Sequence, residues 1–266
     1  MKYLNIRTMN TTQLNAKTNR RTGAKSPLWR ISKRFLYLMA AFIVAAMTLA
    51  SCVEGNDPEN DPNENGNGGV AGKRLKTEVN NTAHFIMRNE FTYNSDGSLK
   101  RYDVYDDGTS ELYMYAIVTN NSDGTAAKEE LYYANNSLYQ VYNYTYDSNK
   151  KPKKTDISFP GQTSWSITID YTFQNGRKTR EALTSNLGAD KTVVQTDYNY
   201  DSKGVRTSAT ETHSVLGKRQ ITYTYSADGT LQKRTYTEYN STKMITHTYT
   251  WEDGKSTVNW FDSALF

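Results

Sequence analysis

The residues of this chain best suited to acid–base chemistry are three histidines and a few paired carboxylates. His84, His213 and His247 are the only histidines, and none lies at a metal-ligand spacing with a second histidine, a cysteine or a carboxylate. We therefore expect each of them on a strand surface. Acidic pairs occur at 106–107 and 129–130, but adjacent residues on a strand face opposite ways, so such a pair cannot act together on a glycosidic bond. With no nucleophile motif and no phosphate-binding glycine loop, the sequence predicts no enzyme, no cofactor and no metal site.

Aromatic side chains are the candidates for ligand binding, because exposed tyrosine and tryptophan rings have apolar faces that can stack on sugars. Tyr142, Tyr144 and Tyr146 alternate along one predicted strand and share a face, and Trp165 and Trp251 lie near predicted turns. These five are the candidate ligand-binding residues, with a glycan as the candidate ligand. The alternative is that they form the core of a sheet poor in leucine, since each tyrosine can bury roughly 150–250 Å².

The single cysteine, Cys52, closes a segment with the three parts of a secretory signal. Basic residues at 30–34 precede an apolar run at 35–50 that is too short to span a bilayer comfortably as a helix. The motif LASC at 49–52 resembles a bacterial lipobox. The resemblance implies cleavage before Cys52 and acylation of its thiol and amino group, for instance with palmitate, which gives a stable anchor. Residues 1–52 are therefore expected to be a lipoprotein signal peptide.

A flexible acidic tether is predicted at residues 53–72, which are rich in glycine, asparagine, proline and acidic residues. A coil of this length reaches about 25 Å. Val53 directly after the cysteine is typical of outer-membrane rather than inner-membrane lipoproteins. The acidic residues that follow resemble the surface-export tethers of lipoproteins from Gram-negative gut bacteria. The resemblance implies an outer-membrane, surface-exposed protein that contacts the membrane through its lipid alone.

The charge distribution argues against a nucleic-acid partner. The formal net charge is +4, but the first 52 residues hold nine of the basic residues and none of the acidic ones. The remainder carries 23 basic against 28 acidic residues, a net charge of −5. The expected domain thus lacks the basic surface that phosphate binding needs.

The elements that must position these side chains are predicted from an internal repeat in residues 73–266. One kind of turn signal recurs every 25 to 28 residues, anchored at Gly97, Gly124, Asn149, Gly176, Gly204, Gly229 and Gly254. A more variable turn signal lies between successive anchors, so each repeat holds two strands. Residues 73–266 are therefore predicted to form an all-β domain, an antiparallel up-and-down meander of about 14 strands.

The segment ITYTYSADGTL at 221–231 shows the local chemistry of one repeat. A type I turn that leads into a left-handed glycine gives a three-residue loop with a bulge. That loop places Tyr225 opposite Leu231, on the same face as Tyr223 and Ile221. The motif resembles the YD or RHS repeat, roughly Tyr-x-Tyr-Asp-x-x-Gly-x-Leu. With its lipobox and tether, the chain resembles families of lipoproteins of unknown function from gut bacteria, some with a porin-like β-barrel, and this resemblance implies no established activity.

Closure of the meander is expected because an open sheet of this width would leave two long edges exposed to aggregation. We predict a closed barrel, porin-like but soluble, or a flattened barrel that packs like a sandwich; an open sheet is the third alternative. Outward stripes at 222–224 and 234–238 are too polar to face lipid. A round barrel would be about 28 Å across, so we expect water, an inserted loop or a ligand-sized cavity inside.

These observations predict a lipid-anchored cell-surface binding protein without catalytic activity, whose ligand is a glycan or another extracellular molecule. The alternative is a structural or assembly component of an outer-membrane complex or adhesive surface layer, with an envelope protein as its partner.

Overall fold

The structure, a computed structural model, describes residues 72–82, 85–188 and 190–256. The predicted signal peptide with Cys52, nearly all of the predicted tether, and His84 lie outside the described residues. Within them the fold is all-β, and no helix is long and apolar enough to cross a bilayer. The strands are β1 (Lys73–Asn81), β2 (Ile86–Tyr93), β3 (Leu99–Asp106), β4 (Glu111–Asn120), β5 (Ala126–Tyr133), β6 (Leu138–Tyr146), β7 (Pro152–Ser158), β8 (Trp165–Gln174), β9 (Arg177–Leu187), β10 (Asp190–Tyr200), β11 (Arg206–His213), β12 (Gly217–Tyr225), β13 (Leu231–Thr237) and β14 (Met244–Asp253).

The 14 strands form one closed antiparallel barrel. Each strand pairs with the next in sequence, and β1 pairs with β14 through contacts such as Glu78 with Tyr249, which closes the wall. Closure gives every strand two neighbours, so the wall has no free edge. The predicted closed up-and-down barrel is confirmed.

Five of the turns at one end of the barrel, here called the anchor-turn end, share one backbone geometry, whereas the β8–β9 turn has two residues, Asn175 and Gly176, both at positive φ. Between β2 and β3 the backbone N–H of Asn94 bonds the Ser98 carbonyl at 2.8 Å, and Gly97 has a φ of 90°. The Asp96 carboxylate accepts bonds from the N–H and hydroxyl of Ser98. Glycine reaches this left-handed φ without a Cβ clash. In the β6–β7 turn the prediction of Asn149 at this position is wrong by one residue, because Lys150 takes the positive φ of 60°.

Each strand that follows an anchor turn begins with a β-bulge, as does β1. In the quoted repeat Thr224 pairs with Lys233 and Tyr225 with Leu231, which leaves Gln232 unpaired. The predicted register is therefore confirmed, including its bulge. Equivalent shifts occur where β1, β3, β5, β7, β9 and β11 meet the preceding strand of the wall.

Six even-numbered strands each donate a side-chain hydrogen bond to the neighbouring strand at the anchor-turn end. The donor is the last or near-last residue of the strand, and the acceptor is a backbone carbonyl near the start of the strand that precedes it in sequence. The pairs, at 2.6 to 2.7 Å, are Tyr93 to Leu75, Asn120 to Leu99, Tyr146 to Ala126, Tyr200 to Lys178, Tyr225 to Arg206 and Trp251 to Leu231. These bonds tie neighbouring strands together at a common level of the barrel.

Alternate residues of each strand are buried inside the barrel. In β12, Ile221 and Tyr223 are buried, while Thr222 and Thr224 are exposed. We expected a lumen with room for water, a loop or a ligand, and the described interior differs. Its long side chains, among them Tyr102, Tyr142, Lys178 and Arg206, are at most 2% exposed. The expectation rested on the diameter of a round barrel lined by one layer of side chains. These long side chains reach far from the wall, so they fill the space around them.

Candidate functional site

Five aromatic side chains form a contiguous group at the other end of the barrel, which carries the variable turns and is here called the variable-turn end. The aromatic cluster consists of Tyr113, Tyr133, Tyr139, Phe159 and Trp165. Ring centroids are 4.9 Å apart for Tyr133 and Tyr139, 6.1 Å for Tyr139 and Phe159, and 5.8 Å for Phe159 and Trp165. The last two pairs are edge-to-face, the arrangement that ring quadrupoles favour. Four of the rings therefore pack against one another in a continuous chain, and Tyr113 on β4 is a neighbour of Tyr133.

Two members of the aromatic cluster occupy β-bulges. On β4, Val104 pairs with Met114 and Tyr105 with Leu112, so Tyr113 is the extra residue. On β6, Leu131 pairs with Gln140 and Tyr132 with Leu138, so Tyr139 is the extra residue. Bulges re-aim side chains and are frequent next to functional sites. Sequence reasoning missed Tyr139 because nothing in a strand pattern marks which residue a bulge will displace.

The aromatic cluster is partly open to solvent. Tyr113 is 40% exposed, whereas Phe159 at its base is 5% exposed. Burial raises the pKa of Tyr133 and Tyr139, and the neighbouring Tyr113 raises both further. Burial also raises the pKa of Tyr113. The tyrosines therefore keep their protons at neutral pH, so the cluster presents ring faces together with neutral hydroxyls.

Exposed apolar residues concentrate at the same end of the barrel. Val215 is 74% exposed and Met244 57% exposed. Of the large hydrophobic residues that are exposed in the described part of the chain, all but Ile117 lie in a variable turn or within four residues of one: Ile86, Tyr113, Val193, Val215, Leu216 and Met244. The variable-turn end thus exposes more large apolar side chains than the anchor-turn end does.

The first and last described residues both lie at the anchor-turn end. The N–H of Gly254 bonds the carbonyl of Gly72 at 2.9 Å, next to the first pair of the β1–β14 ladder. The aromatic cluster is therefore at the end opposite the point where residue 72 enters the barrel.

The structure separates the five predicted ligand-binding residues. Tyr142 and Tyr144 are buried in the interior, where their hydroxyls bond Gln140 and Glu129. Tyr146 and Trp251 belong to the hydrogen-bonded positions of the anchor-turn end. Tyr142 and Tyr144 thus lie where the alternative interpretation, a tyrosine-rich core, places them, whereas Tyr146 and Trp251 are half-buried. Only Trp165 lies in the aromatic cluster, and its backbone N–H donates a 2.9 Å hydrogen bond to the Gln162 carbonyl.

His247 lies in the barrel interior, contrary to the prediction that it occupies a strand surface. It is 0% exposed, and its Nδ1 is 2.7 Å from Glu78 Oε1. Its Nε2 lies 3.0 Å from the Tyr236 hydroxyl and 3.1 Å from Arg234. A strand pattern assigns a lone histidine to the solvent-exposed face. The prediction failed because interior positions of this barrel hold polar side chains that hydrogen-bond to one another.

The electrostatics of this interior group favour a neutral histidine beside a carboxylate. Burial and the nearby Arg234 lower the pKa of His247 to about 4. Burial acts to raise the pKa of Glu78, but hydrogen bonds from His247 and Asn89 and the charge of Arg234 outweigh it, so the pKa is lowered. A carboxylate–imidazole pair can do acid–base chemistry in principle. Here all of these groups are buried in the barrel interior.

The remaining acid–base candidates are placed as follows. Glu129 is buried and bonds the hydroxyls of Tyr102 and Tyr144, while Glu130 pairs with Lys128 at 3.1 Å. The two acids thus face opposite ways, as predicted. His213 is half-buried, and its Nδ1 accepts backbone N–H bonds in the turn that follows it. Within the described residues no group of three or more His, Cys, Asp or Glu side chains could hold a metal ion.

Comparison with known proteins gives structural likeness only. No protein-family model matches the sequence, and no curated protein matches it. The chain is similar to a porin-like protein from Bacteroides uniformis at 12% identity, covering 68% of this chain and 96% of that one, with a TM-score of 0.41. It is also similar to a porin-like protein from Bacteroides vulgatus at 11% identity, covering 67% and 98%, with a TM-score of 0.43.

Proposed function

We propose that this protein is a lipid-anchored, non-catalytic binding protein of the bacterial outer surface, which holds extracellular glycans at its aromatic cluster. The observation that carries the proposal is a partly exposed group of five aromatic rings at one barrel end. Tyr113, Tyr139 and Trp165 offer ring faces for the apolar side of a sugar, and the tyrosine hydroxyls offer hydrogen bonds to its rim.

The position of the aromatic cluster supports a surface role. Lipidation at Cys52, followed by a tether ending at residue 72, would attach the membrane anchor to the anchor-turn end. A Gly-rich coil of this length reaches about 25 Å, enough to hold the barrel clear of the headgroups. The variable-turn end then faces away from the membrane, where an extracellular ligand arrives.

The enclosure of the interior acid–base groups supports a role without catalysis. A general acid or base must come within hydrogen-bond reach of its substrate. Glu78, His247 and Glu129 are each at most 2% exposed, and their partners are other interior side chains. Binding at the surface therefore suits this barrel better than turnover inside it.

Titration of the purified full-length protein with glycans that it retains on an array tests the binding proposal. We expect Trp165→Ala to weaken binding about tenfold or more, since loss of a central aromatic anchor commonly costs about 2 kcal/mol. Tyr105→Ala is the matched control, because this half-exposed ring lies on the outer wall beneath Arg88 and outside the cluster. Equal losses in the two variants, or no retained glycan at all, would contradict the proposal.

Lipidation is tested separately, with labelled palmitate in a Gram-negative host. The intact chain should acquire label and fractionate with the outer membrane, whereas Cys52→Ser should lose both. Label retained by Cys52→Ser would place the modification elsewhere and remove the basis for the orientation argued above.

The second candidate function is an assembly component of an envelope complex, and it is favoured by the exposed apolar residues of the variable-turn end. Val215, Leu216 and Met244 lie on β11 to β14, away from the aromatic cluster. Exposed apolar groups of this kind mark protein contacts. Crosslinking in intact cells separates the two functions: a Val215→Asp variant that loses an envelope partner but keeps glycan binding would support assembly through this side.

A further inference from the structure

The outer wall of the barrel is divided into two kinds of surface. Ion pairs cover the strands from β2 to β10: Arg88–Asp107, Arg101–Asp103, Lys128–Glu130, Lys154–Asp156 and Arg180–Asp197. On β11 to β14 the outward positions are mainly threonines. Ser208 pairs with Thr222, Thr222 with Thr235, and Thr235 with Thr246. Neighbouring strands lie about 4.8 Å apart, so these hydroxyls form a regular row, here called the threonine face.

A shallow pocket of about 420 Å³ opens on the threonine face near the variable-turn end. Its wall includes Lys218, Gln220, Thr222, Thr235, Thr237 and Met244. The volume lies within the range of small-ligand sites. The pocket is on β12 to β14, whereas the aromatic cluster is on β4 to β8, so the two are separate places on the barrel.

The pocket combines three kinds of side chain that suit a sugar ring. The hydroxyls of Thr222 and Thr235 lie 2.6 Å apart, and each retains acceptor capacity for a ligand hydroxyl. Met244 is 57% exposed and offers an apolar, adaptable surface. Gln220 exchanges hydrogen bonds with Thr210 at 3.1 to 3.2 Å, which fixes its amide at the pocket wall.

Lys218 adds a positive charge that the protein leaves available. Its side chain is exposed and makes no hydrogen bond or ion pair with any residue in the described ranges. The carboxylate that feels its charge, Asp197, already accepts bonds from Arg180 at 2.6 Å and Gln195 at 2.7 Å. The other acid close by, Glu211, is paired with Arg219 at 2.6 Å. An anionic group on a ligand would thus meet an uncompensated ammonium.

We infer that this pocket binds an acidic sugar, a uronic acid residue of a polysaccharide, with its carboxylate on Lys218 and its hydroxyls on the threonine face. The inference rests on the proposed function in taking a glycan as the ligand class. It goes beyond that function by naming a second site, remote from the aromatic cluster, and the charge of the sugar that this site selects.

Calorimetric titration with galacturonic acid trimer and with its methyl ester tests the inference on the purified full-length protein. The two probes differ at the carboxyl groups alone, which are charged in the acid and carry a neutral methyl ester in the other. We expect the free acid to bind at least about tenfold more tightly, as a charge-assisted hydrogen bond would give. The preference should shrink as salt is raised, because the lysine is exposed.

Two variants assign the preference to the pocket. Lys218→Gln should bind acid and ester equally, whereas Lys233→Gln, an exposed lysine on β13 outside the pocket lining, should keep the tenfold preference. Thr235→Val keeps the shape and strand propensity of the residue but removes its hydroxyl, and it should weaken both probes several-fold. A thermal melt of each variant controls for folding.

The outcomes separate this inference from the proposed function. Equal affinity of the intact protein for the two probes, absence of binding to either, or a preference that survives Lys218→Gln would overturn the acidic-sugar site. Loss of the preference in Trp165→Ala would also overturn it, because the aromatic cluster would then be where the trimer binds. A trimer preference that depends on Lys218, combined with array ligands insensitive to Trp165→Ala, would refute the aromatic-cluster proposal and leave this site standing.

Discussion

The hydroxyl of Tyr225, at the end of β12, donates a 2.7 Å hydrogen bond to the backbone carbonyl of Arg206, at the start of the neighbouring strand β11. Arg206 is the first residue of its strand and is followed by a bulge. The pairing of β11 with β12 begins only at Ser208, so Arg206 lies outside that ladder and its carbonyl accepts the tyrosine hydroxyl instead. The same geometry recurs in five other repeats. In four of the six cases the donor is a tyrosine, whose place at the end of the strand is thus explained by a bond as well as by burial.

Removing one of these bonds should cost a modest, measurable amount of stability. We expect Tyr225→Phe to lower the free energy of unfolding by about 1 to 3 kcal/mol, since it leaves a part-buried carbonyl without its donor. Tyr105→Phe is the matched control, because that hydroxyl makes no hydrogen bond within the described residues. Urea denaturation of both variants measures the difference, and equal midpoints would show that the bond contributes nothing.

Glycine at an anchor turn should be less replaceable than glycine at a variable turn. Gly97 and Gly161 have φ values of 90° and 87°, so alanine is strained at either place by about 1 to 2 kcal/mol. A Cβ at Gly97 would also lie 2.9 Å from the backbone of Lys255, whereas one at Gly161 would meet nothing within 4 Å. We therefore expect Gly97→Ala to lower the melting temperature more than Gly161→Ala. The reverse order would mean that the contact with Lys255 relaxes freely.

The buried ion pair of Lys178 and Glu181 should be sensitive to loss of one partner and tolerant of loss of both. Their charged atoms are 2.5 Å apart, and the lysine side chain is 0% exposed. Lys178→Met leaves an uncompensated buried carboxylate, which typically costs about 3 to 5 kcal/mol. The double variant with Glu181→Leu should recover most of that loss. Chemical denaturation of the single and double variants tests this, and a double variant no more stable than Lys178→Met would contradict it.

The sequence predicts the wall of this barrel better than its interior. Turn glycines and alternation act locally, so the register of Tyr225 and Leu231 could be inferred from a dozen residues. The partners of His247 and Arg206 depend on which strands closure brings together, and Glu78 is 169 positions from His247. A strand pattern therefore identifies the interior face but cannot say which polar groups meet there.

The aromatic cluster shows the same limit at a candidate site. Trp165 was identified because it stands beside a turn, while Tyr142 and Tyr144, on the most conspicuous tyrosine stripe, are core residues. Tyr113 and Tyr139 join the cluster through bulges at the variable-turn end. A bulge there depends on how two strands of unequal length meet, which no local motif encodes.

Acid should destabilise the barrel through His247. The pKa of this histidine is lowered to about 4 by burial and by Arg234, whereas an unfolded histidine has a pKa near 6.5. As the pH falls from about 6.5 to about 4, this histidine becomes protonated in the unfolded chain but stays neutral in the folded one. The free energy of unfolding therefore falls, by up to about 1.4 kcal/mol per pH unit. Glu78, Arg234 and Tyr236 surround the ring. Burial and Arg234 keep it neutral in the folded state, although Glu78 acts in the opposite direction.

The variant His247→Gln isolates this contribution to the pH dependence. Glutamine can still donate to Glu78 but does not titrate, so we expect a smaller loss of stability between pH 6.5 and 4.5 than in the intact protein, even if the variant is less stable at pH 7. His213, whose pKa is also lowered by burial, remains in both proteins and cancels in the comparison. Urea denaturation at half-unit pH intervals gives the two slopes. Parallel slopes would mean that His247 titrates normally, and the enclosed neutral imidazole described above would then be wrong.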